Sequence, residues 1–170
     1  MVHFVQKYIN PEYMGLDAVF VQLFEKYINT GQASFFTEKY REYIDKRAYS
    51  VMANLIGQPA SNLIMVDSLQ KPLPLYNVKA DYTVVVFYDP TCGHCKEVLP
   101  KVDSIYEAKW KNNGVKVYAV KVDGSREEWI KFIHEHKLND WYHVYQLPSQ
   151  EKADADAGRP GFRQLYDVYQ

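Results

Sequence analysis

Cys92-Gly93-His94-Cys95 sets two thiols at a spacing that allows them to close or exchange a disulfide, and these are the only cysteines in the chain. Before them, Thr83-Val84-Val85-Val86-Phe87-Tyr88 is an apolar, β-branched and aromatic run that reads as a buried strand. Asp89-Pro90-Thr91 breaks that strand. Residues 96–106 then read as an amphipathic helix. A dithiol between the end of a strand and the start of a helix is a setting for thiol–disulfide exchange.

The expected chemistry follows from that position. Cys92 falls at a helix N-terminus, where unpaired backbone N–H groups and the helix dipole favour negative charge. Such a site lowers a thiol pKa from about 8.5 towards roughly 3.5–7.5. The thiolate is the nucleophile that attacks a disulfide and forms a mixed disulfide. Cys95, one turn on, is the resolving thiol. Gly93 lets the loop turn tightly at the helix start. His94, when protonated, adds positive charge beside the thiolate and makes the Cys92–Cys95 disulfide more oxidising. No other cofactor is expected.

Other readings of the pair stay open. The thiols could form half of a zinc site with His94, His134 or His136, although no second cysteine pair completes it. They could be packing cysteines. They could also be vestigial, in a binding module that does no catalysis and whose helical segment holds a partner. His134-Glu135-His136 invites a metal reading as well, but helix positions two apart point in different directions. A surface or helix-end role is expected there, and no metal.

The chain has 170 residues, which suits one domain, or one domain plus a small appendage, and its 47% hydrophobic content supports a real core. Twenty basic and 21 acidic residues leave a formal net charge of −1, so nothing electrostatic points to nucleic acid or an anionic membrane. No apolar run approaches the ~20 residues of a membrane span. Met1-Val2-His3-Phe4 lacks the charged and apolar regions of a signal peptide. Most of the 15 tyrosines are expected to be half-buried, with hydroxyls at the surface.

The pattern changes near Gly57, which predicts a helical segment over 1–56 and an α/β segment over 57–170. Ahead of Gly57, a helix is expected over 2–9. Leu16, Val19, Phe20, Leu23, Phe24, Tyr27 and Ile28 mark the apolar face of a second, and Phe36, Tyr40, Tyr43, Ile44, Val51 and Leu55 that of a third. After Gly57, residues 62–67 and 73–76 look like the strands of a hairpin. Strand 83–88 and a helix over about 92–112 follow. Then come a strand over 115–123, a helix opened by the capping box Ser125-Arg126-Glu127-Glu128, and a short strand over 141–145. Residues 149–159 read as a loop and 162–169 as a last helix. Alternating strands and helices imply a parallel sheet.

Gly57-Gln58-Pro59-Ala60 with the following hairpin resembles the TlpA-like and peroxiredoxin-related branch of the thioredoxin superfamily. Phe87-Tyr88-Asp89-Pro90-Thr91-Cys92-Gly93-His94-Cys95-Lys96 resembles its active-site segment, and Pro100 stands where that family bends its active-site helix. Residues 1–56, notably Met14-Gly15-Leu16-Asp17-Ala18-Val19-Phe20, resemble a helical domain found ahead of such modules in Bacteroidetes envelope proteins. The resemblance implies a thioredoxin-like α/β fold and thiol–disulfide exchange with protein or low-molecular-weight substrates in the cell envelope or periplasm. Two departures stand out. Val86 occupies the position where thioredoxins carry a buried Asp that accepts a proton from the second cysteine. The sequence also ends about where the family's cis-proline segment would start. The expected fold is therefore incomplete, without the cis-proline strand, the last strand and the last helix. Strand 83–88 is then expected to form an apolar sheet edge open to self-association.

Overall fold

Two runs of differing hydrophobic period give two compact units: Met1–Ser61 with Gly158–Gln170, and Asn62–Ala157. The computed structural model describes residues 1–13, 15–166 and 168. Met14, part of the helical resemblance, and Asp167 and Tyr169, in the expected last helix, lie outside the described residues.

The helical unit holds α1 (Val2–Tyr8), α2 (Asp17–Leu23), α3 (Glu38–Met52) and α7 (Phe162–Leu165). α2 runs into one wider π turn, Phe24–Ile28. The core is built from Val5, Phe20, Phe24, Ile28, Ile44 and Ala48. The buried line of α2 is rotated from the expected one. Val21 is buried, whereas Leu16 and Val19 are each 37% exposed. The apolar stripe is wider than the surface its neighbours cover, so its flank stays at the surface. α3 shows the same effect. It buries the short side chains of Ala48 and Ser50, while Tyr43 remains 44% exposed. Thr37 caps α3 by accepting the Tyr40 N–H at 3.3 Å. Ser50 Oγ donates to the Gln164 carbonyl at 2.7 Å, tying α3 to α7.

The second unit is a mixed four-stranded sheet in the order β1-β4-β3-β2, with β1 Val66–Asp67, β2 Tyr82–Tyr88, β3 Val115–Lys121 and β4 Tyr142–Tyr145. β2, β3 and β4 run parallel, with Tyr82 opposite Val115 and Tyr88 opposite Lys121. β1 pairs antiparallel with β4. α4 (Gly93–Ile105) and α5 (Arg126–Glu135) pack on the sheet through Leu99, Trp129, Phe132 and Ile133, against Tyr88, Val117 and Ala119. The capping box of α5 is formed: Ser125 Oγ accepts the Glu128 N–H, and the Glu128 carboxylate accepts the Ser125 N–H.

Two expectations are corrected. The hairpin over 62–76 forms only in part. Leu73 and Leu75 N–H groups donate to Met65 and Leu63 carbonyls, but Pro72 and Pro74 have no N–H, and Leu75–Asn77 curls into a 3-10 turn. The stretch 149–159, expected as a loop, holds α6 (Pro148–Asp156), opened by proline in its first turn. α6 buries no residue, so it shows no apolar period by which to recognise it.

Candidate functional site

The thiols stand where β2 gives way to α4. Asp89 Oδ1 accepts both the Thr91 N–H and the Thr91 hydroxyl at 2.7 Å, which turns the chain after β2. The Cys92 N–H donates to the Asp89 carbonyl at 3.2 Å, and the Lys96 N–H to the Cys92 carbonyl at the same distance. Cys92 is therefore the N-cap of α4, with extended backbone (φ −69°, ψ 124°). Its thiol is held below the ordinary value by the Cys95 N–H, the Cys95 thiol and the His94 N–H, which all favour the thiolate. Cys95 is pushed the other way, chiefly by burial; the Asp89 backbone N–H favours its thiolate, but the neighbouring Cys92 thiol and the Asp89 charge add to the upward push. The two thiols thus have opposite tendencies within one turn of helix.

His94 is exposed in the first turn of α4. Gly93 opens the helix without a positive φ, and a Cβ there would meet nothing within 4 Å. The position leaves open space beside Cys92. Pro100 lies inside α4, where it has no N–H to offer the preceding turn. His134 is in the last turn of α5 and His136 is its C-cap. Among the described residues no group of three or more His, Cys, Asp or Glu side chains is placed to hold a metal ion.

Sequence reasoning missed four residues around the thiols. Gly124, at φ +83°, lies so close to Pro90 that a Cβ would stand 3.0 Å from its Cγ. The loop after β3 thereby braces the loop that carries Cys92. Tyr88, 1% exposed at the end of β2, joins a buried chain of polar groups. The Trp129 indole donates to the Tyr88 hydroxyl at 2.6 Å. Tyr88 Oη lies 2.9 Å from His143 Nδ1, and His143 Nε2 lies 2.7 Å from the Leu138 carbonyl. Burial pushes the Tyr88 hydroxyl far above its ordinary value and the His143 imidazole down to about 4. Cys95 and Val86 pack against the same cluster. The available signal was a tyrosine at the strand end just before the thiols, together with a histidine inside a strand. A cleft of about 190 Å³ opens beside the same loop, lined by Pro90, Thr91, Lys96, Glu128 and Lys131 among others.

Similarity to known proteins falls on this same unit. A protein-family model described as thioredoxin-like matches residues 80–155. A domain of a "possible thiol-disulfide isomerase" from Cytophaga hutchinsonii is 34% identical, with a TM-score of 0.56, covering 69% of this chain and 73% of that one. A thiol:disulfide interchange protein from a Bacteroides species is 27% identical, with a TM-score of 0.51, covering 65% of this chain and 72% of that one. A thioredoxin-like protein from Bacteroides caccae shares the fold over 90% of this chain and 59% of that one, at 20% identity and a TM-score of 0.63. No curated protein matches the chain.

Proposed function

The chain belongs to the thioredoxin superfamily, in its thioredoxin-like thiol–disulfide oxidoreductase branch, and on that premise we propose that it exchanges disulfides through Cys92 and Cys95. The observation that carries this reading is the opposite bias of the two thiols. Cys92 is the N-cap of α4 with donors on its sulfur, while Cys95 is half-buried and favours the protonated form.

The Cys92 thiolate attacks one sulfur of a substrate disulfide. The substrate S–S bond breaks, a mixed disulfide forms, and the displaced sulfur leaves as a thiolate that takes a proton from water. Cys95 then gives up its proton and attacks Cys92 Sγ. The Cys92–Cys95 bond forms, the second substrate thiol departs, and two electrons have passed from the dithiol to the substrate. The reverse sequence oxidises a substrate dithiol. His94 tunes the balance by placing a chargeable imidazole beside the thiolate. The redox-active pair is the only cofactor this reading requires.

The substrates in this reading are protein disulfides or small thiols, and the setting is the cell envelope or periplasm, where protein disulfides persist. No helix among the described residues is long and apolar enough to cross a membrane. Insulin reduction and glutathione exchange, run on the unsubstituted chain and on Cys92→Ser, test the reading. Turnover that disappears in Cys92→Ser is expected. A chain that shows no turnover would leave a binding module with a vestigial dithiol, and turnover that survives the substitution would remove Cys92 as the nucleophile.

A further inference from the structure

Asp89 supplies a carboxylate to the loop that carries the nucleophile, and the exchange steps above give it no role. Its position is fixed from several sides. Its carbonyl accepts the Cys92 N–H at 3.2 Å, which closes a four-residue turn and holds the Cα atoms of Asp89 and Cys92 within about 7 Å. Its Oδ1 accepts the Thr91 N–H and the Thr91 hydroxyl, each at 2.7 Å. An oxygen that close to the Thr91 nitrogen lies no more than about 8 Å from the Cys92 Cα, because a trans peptide spaces successive Cα atoms by about 3.8 Å. A half-buried negative charge therefore stands at the same helix start that favours the Cys92 thiolate. Such separations are shorter than the Debye length of about 10 Å at 0.1 M salt, so the thiolate feels the charge.

We propose that Asp89 is a redox-tuning residue, a carboxylate clamped by Thr91 whose charge opposes the Cys92 thiolate and holds the Cys92–Cys95 couple towards the reducing side. This rests on the roles given to Cys92 and Cys95 above. Asp89 acts against the charged forms of Cys92, Cys95 and Glu128 alike. The sign follows from the charge balance. When two glutathione thiols reduce the site, the Cys92–Cys95 bond breaks, two electrons enter it and one glutathione disulfide forms. Of the two protons released, one goes to Cys95. Above the pKa of Cys92 the other goes to water, and Cys92 stays a thiolate. The disulfide is neutral and the reduced site is charged, so Asp89 repels only the reduced site. His94 acts with the opposite sign.

The other ionisable groups around this loop are His94 and Lys96 on α4, and Glu128, Lys131 and Glu135 on α5. Lys121 and Asp123 flank Gly124, which braces Pro90. All of them are common to the chains compared. Asp89→Asn isolates the charge, because an amide oxygen still accepts both Thr91 bonds. At pH 8 in a fixed glutathione buffer, it should raise the ratio of dithiol to disulfide by about three- to tenfold, a potential about 15–30 mV less negative. The apparent pKa of Cys92, read from the pH profile of iodoacetamide alkylation, should fall by about half to one unit. Below the measured Cys92 pKa of both chains, their potentials should converge. Glu151→Gln removes the same charge from an exposed position on α6 and should change neither reading.

An unchanged potential and Cys92 pKa in Asp89→Asn overturn the proposal. So does a shift that Glu151→Gln reproduces, or one that persists where Cys92 is protonated. If Asp89→Asn does not fold, the unsubstituted chain gives a second test. The Asp89 carboxyl carbon resonance should move as Cys92 ionises in the reduced chain and stay still over the same range in the disulfide form. A resonance that ignores Cys92 overturns the proposal. A chain that forms no Cys92–Cys95 disulfide in glutathione would fail the exchange reading, and the alkylation profile would still decide the role of Asp89.

Discussion

At the scale of single residues, the same sulfur chemistry has two outcomes because its surroundings differ. Cys92 meets the free N–H groups of a helix start, whereas Cys95, one turn on, meets the core. Limiting iodoacetamide followed by mass mapping should therefore label Cys92 first, with a lower apparent pKa; equal labelling of both would refute the assignment. His94 contributes in two ways, through its imidazole and through a backbone N–H that favours the Cys92 thiolate. His94→Pro removes both, and position 94 in the first helical turn tolerates proline. Each loss weakens the thiolate and makes the couple more reducing. Disulfide isomerase and thioredoxin lie near about −180 and about −270 mV, and the unsubstituted chain is expected nearer the first. Equilibration with glutathione should show His94→Pro moving towards the second, with His94→Ala, which keeps the N–H, moving less. A potential unchanged in both variants would remove His94 from the tuning role.

At the scale of elements, two features carry predictions. α4 runs on through a π turn and a 3-10 turn to Gly114, at φ +71°, whose carbonyl accepts the Asp81 and Tyr82 N–H groups at 3.0 and 3.3 Å. A Cβ there would run into the Asp81 carboxylate. Gly114→Ala should destabilise the chain by about 1–3 kcal/mol in urea unfolding, through the left-handed backbone and the clash together. An unchanged midpoint would mean that Asp81 swings clear and the backbone relaxes. β2 stands at the end of the strand order, and Tyr82–Tyr88 contains no Lys, Glu or Pro. Such an edge is a template for pairing, and a second copy of the chain presents the same edge. Sedimentation at rising concentration should show association that Val85→Lys suppresses. A single monomeric species at every concentration would show that this edge does not pair.

At the scale of the whole molecule, the buried chain through Tyr88 links folding to pH. Burial holds the His143 imidazole down at about 4, against an ordinary 6.5. Between these values the unfolded chain binds a proton that the folded chain does not, so stability rises with pH across that window. The contribution is complete above about 6.5 and is lost as pH falls towards 4. One such group amounts to on the order of 3 kcal/mol. Urea unfolding of the unsubstituted chain should weaken by that order between neutral pH and pH 4. The slope should flatten by about one proton in His143→Leu. A slope that stays the same would place the acid sensitivity elsewhere.

The sequence alone was enough to locate the dithiol, the strand before it, the helix after it and the alternation that makes β2, β3 and β4 parallel, though not the antiparallel pairing of β1. Those features are local: β-branched runs, a capping box and glycine stops act on near neighbours. The rotated face of α2, the helix over 148–156 and the curled second arm of the hairpin were not legible. Each depends on what packs against an element, or on the N–H groups that Pro72 and Pro74 lack. The site divides in the same way. Cys92 and Cys95 were found by spacing, because helix geometry fixes their separation. Tyr88, Trp129 and His143 lie far apart in sequence and meet only when β2, α5 and β4 come together. Hydrogen bonds at 2.6–2.9 Å between side chains 41 and 55 residues apart leave no periodic trace in a sequence, so only the tertiary structure decides which polar groups the core pairs.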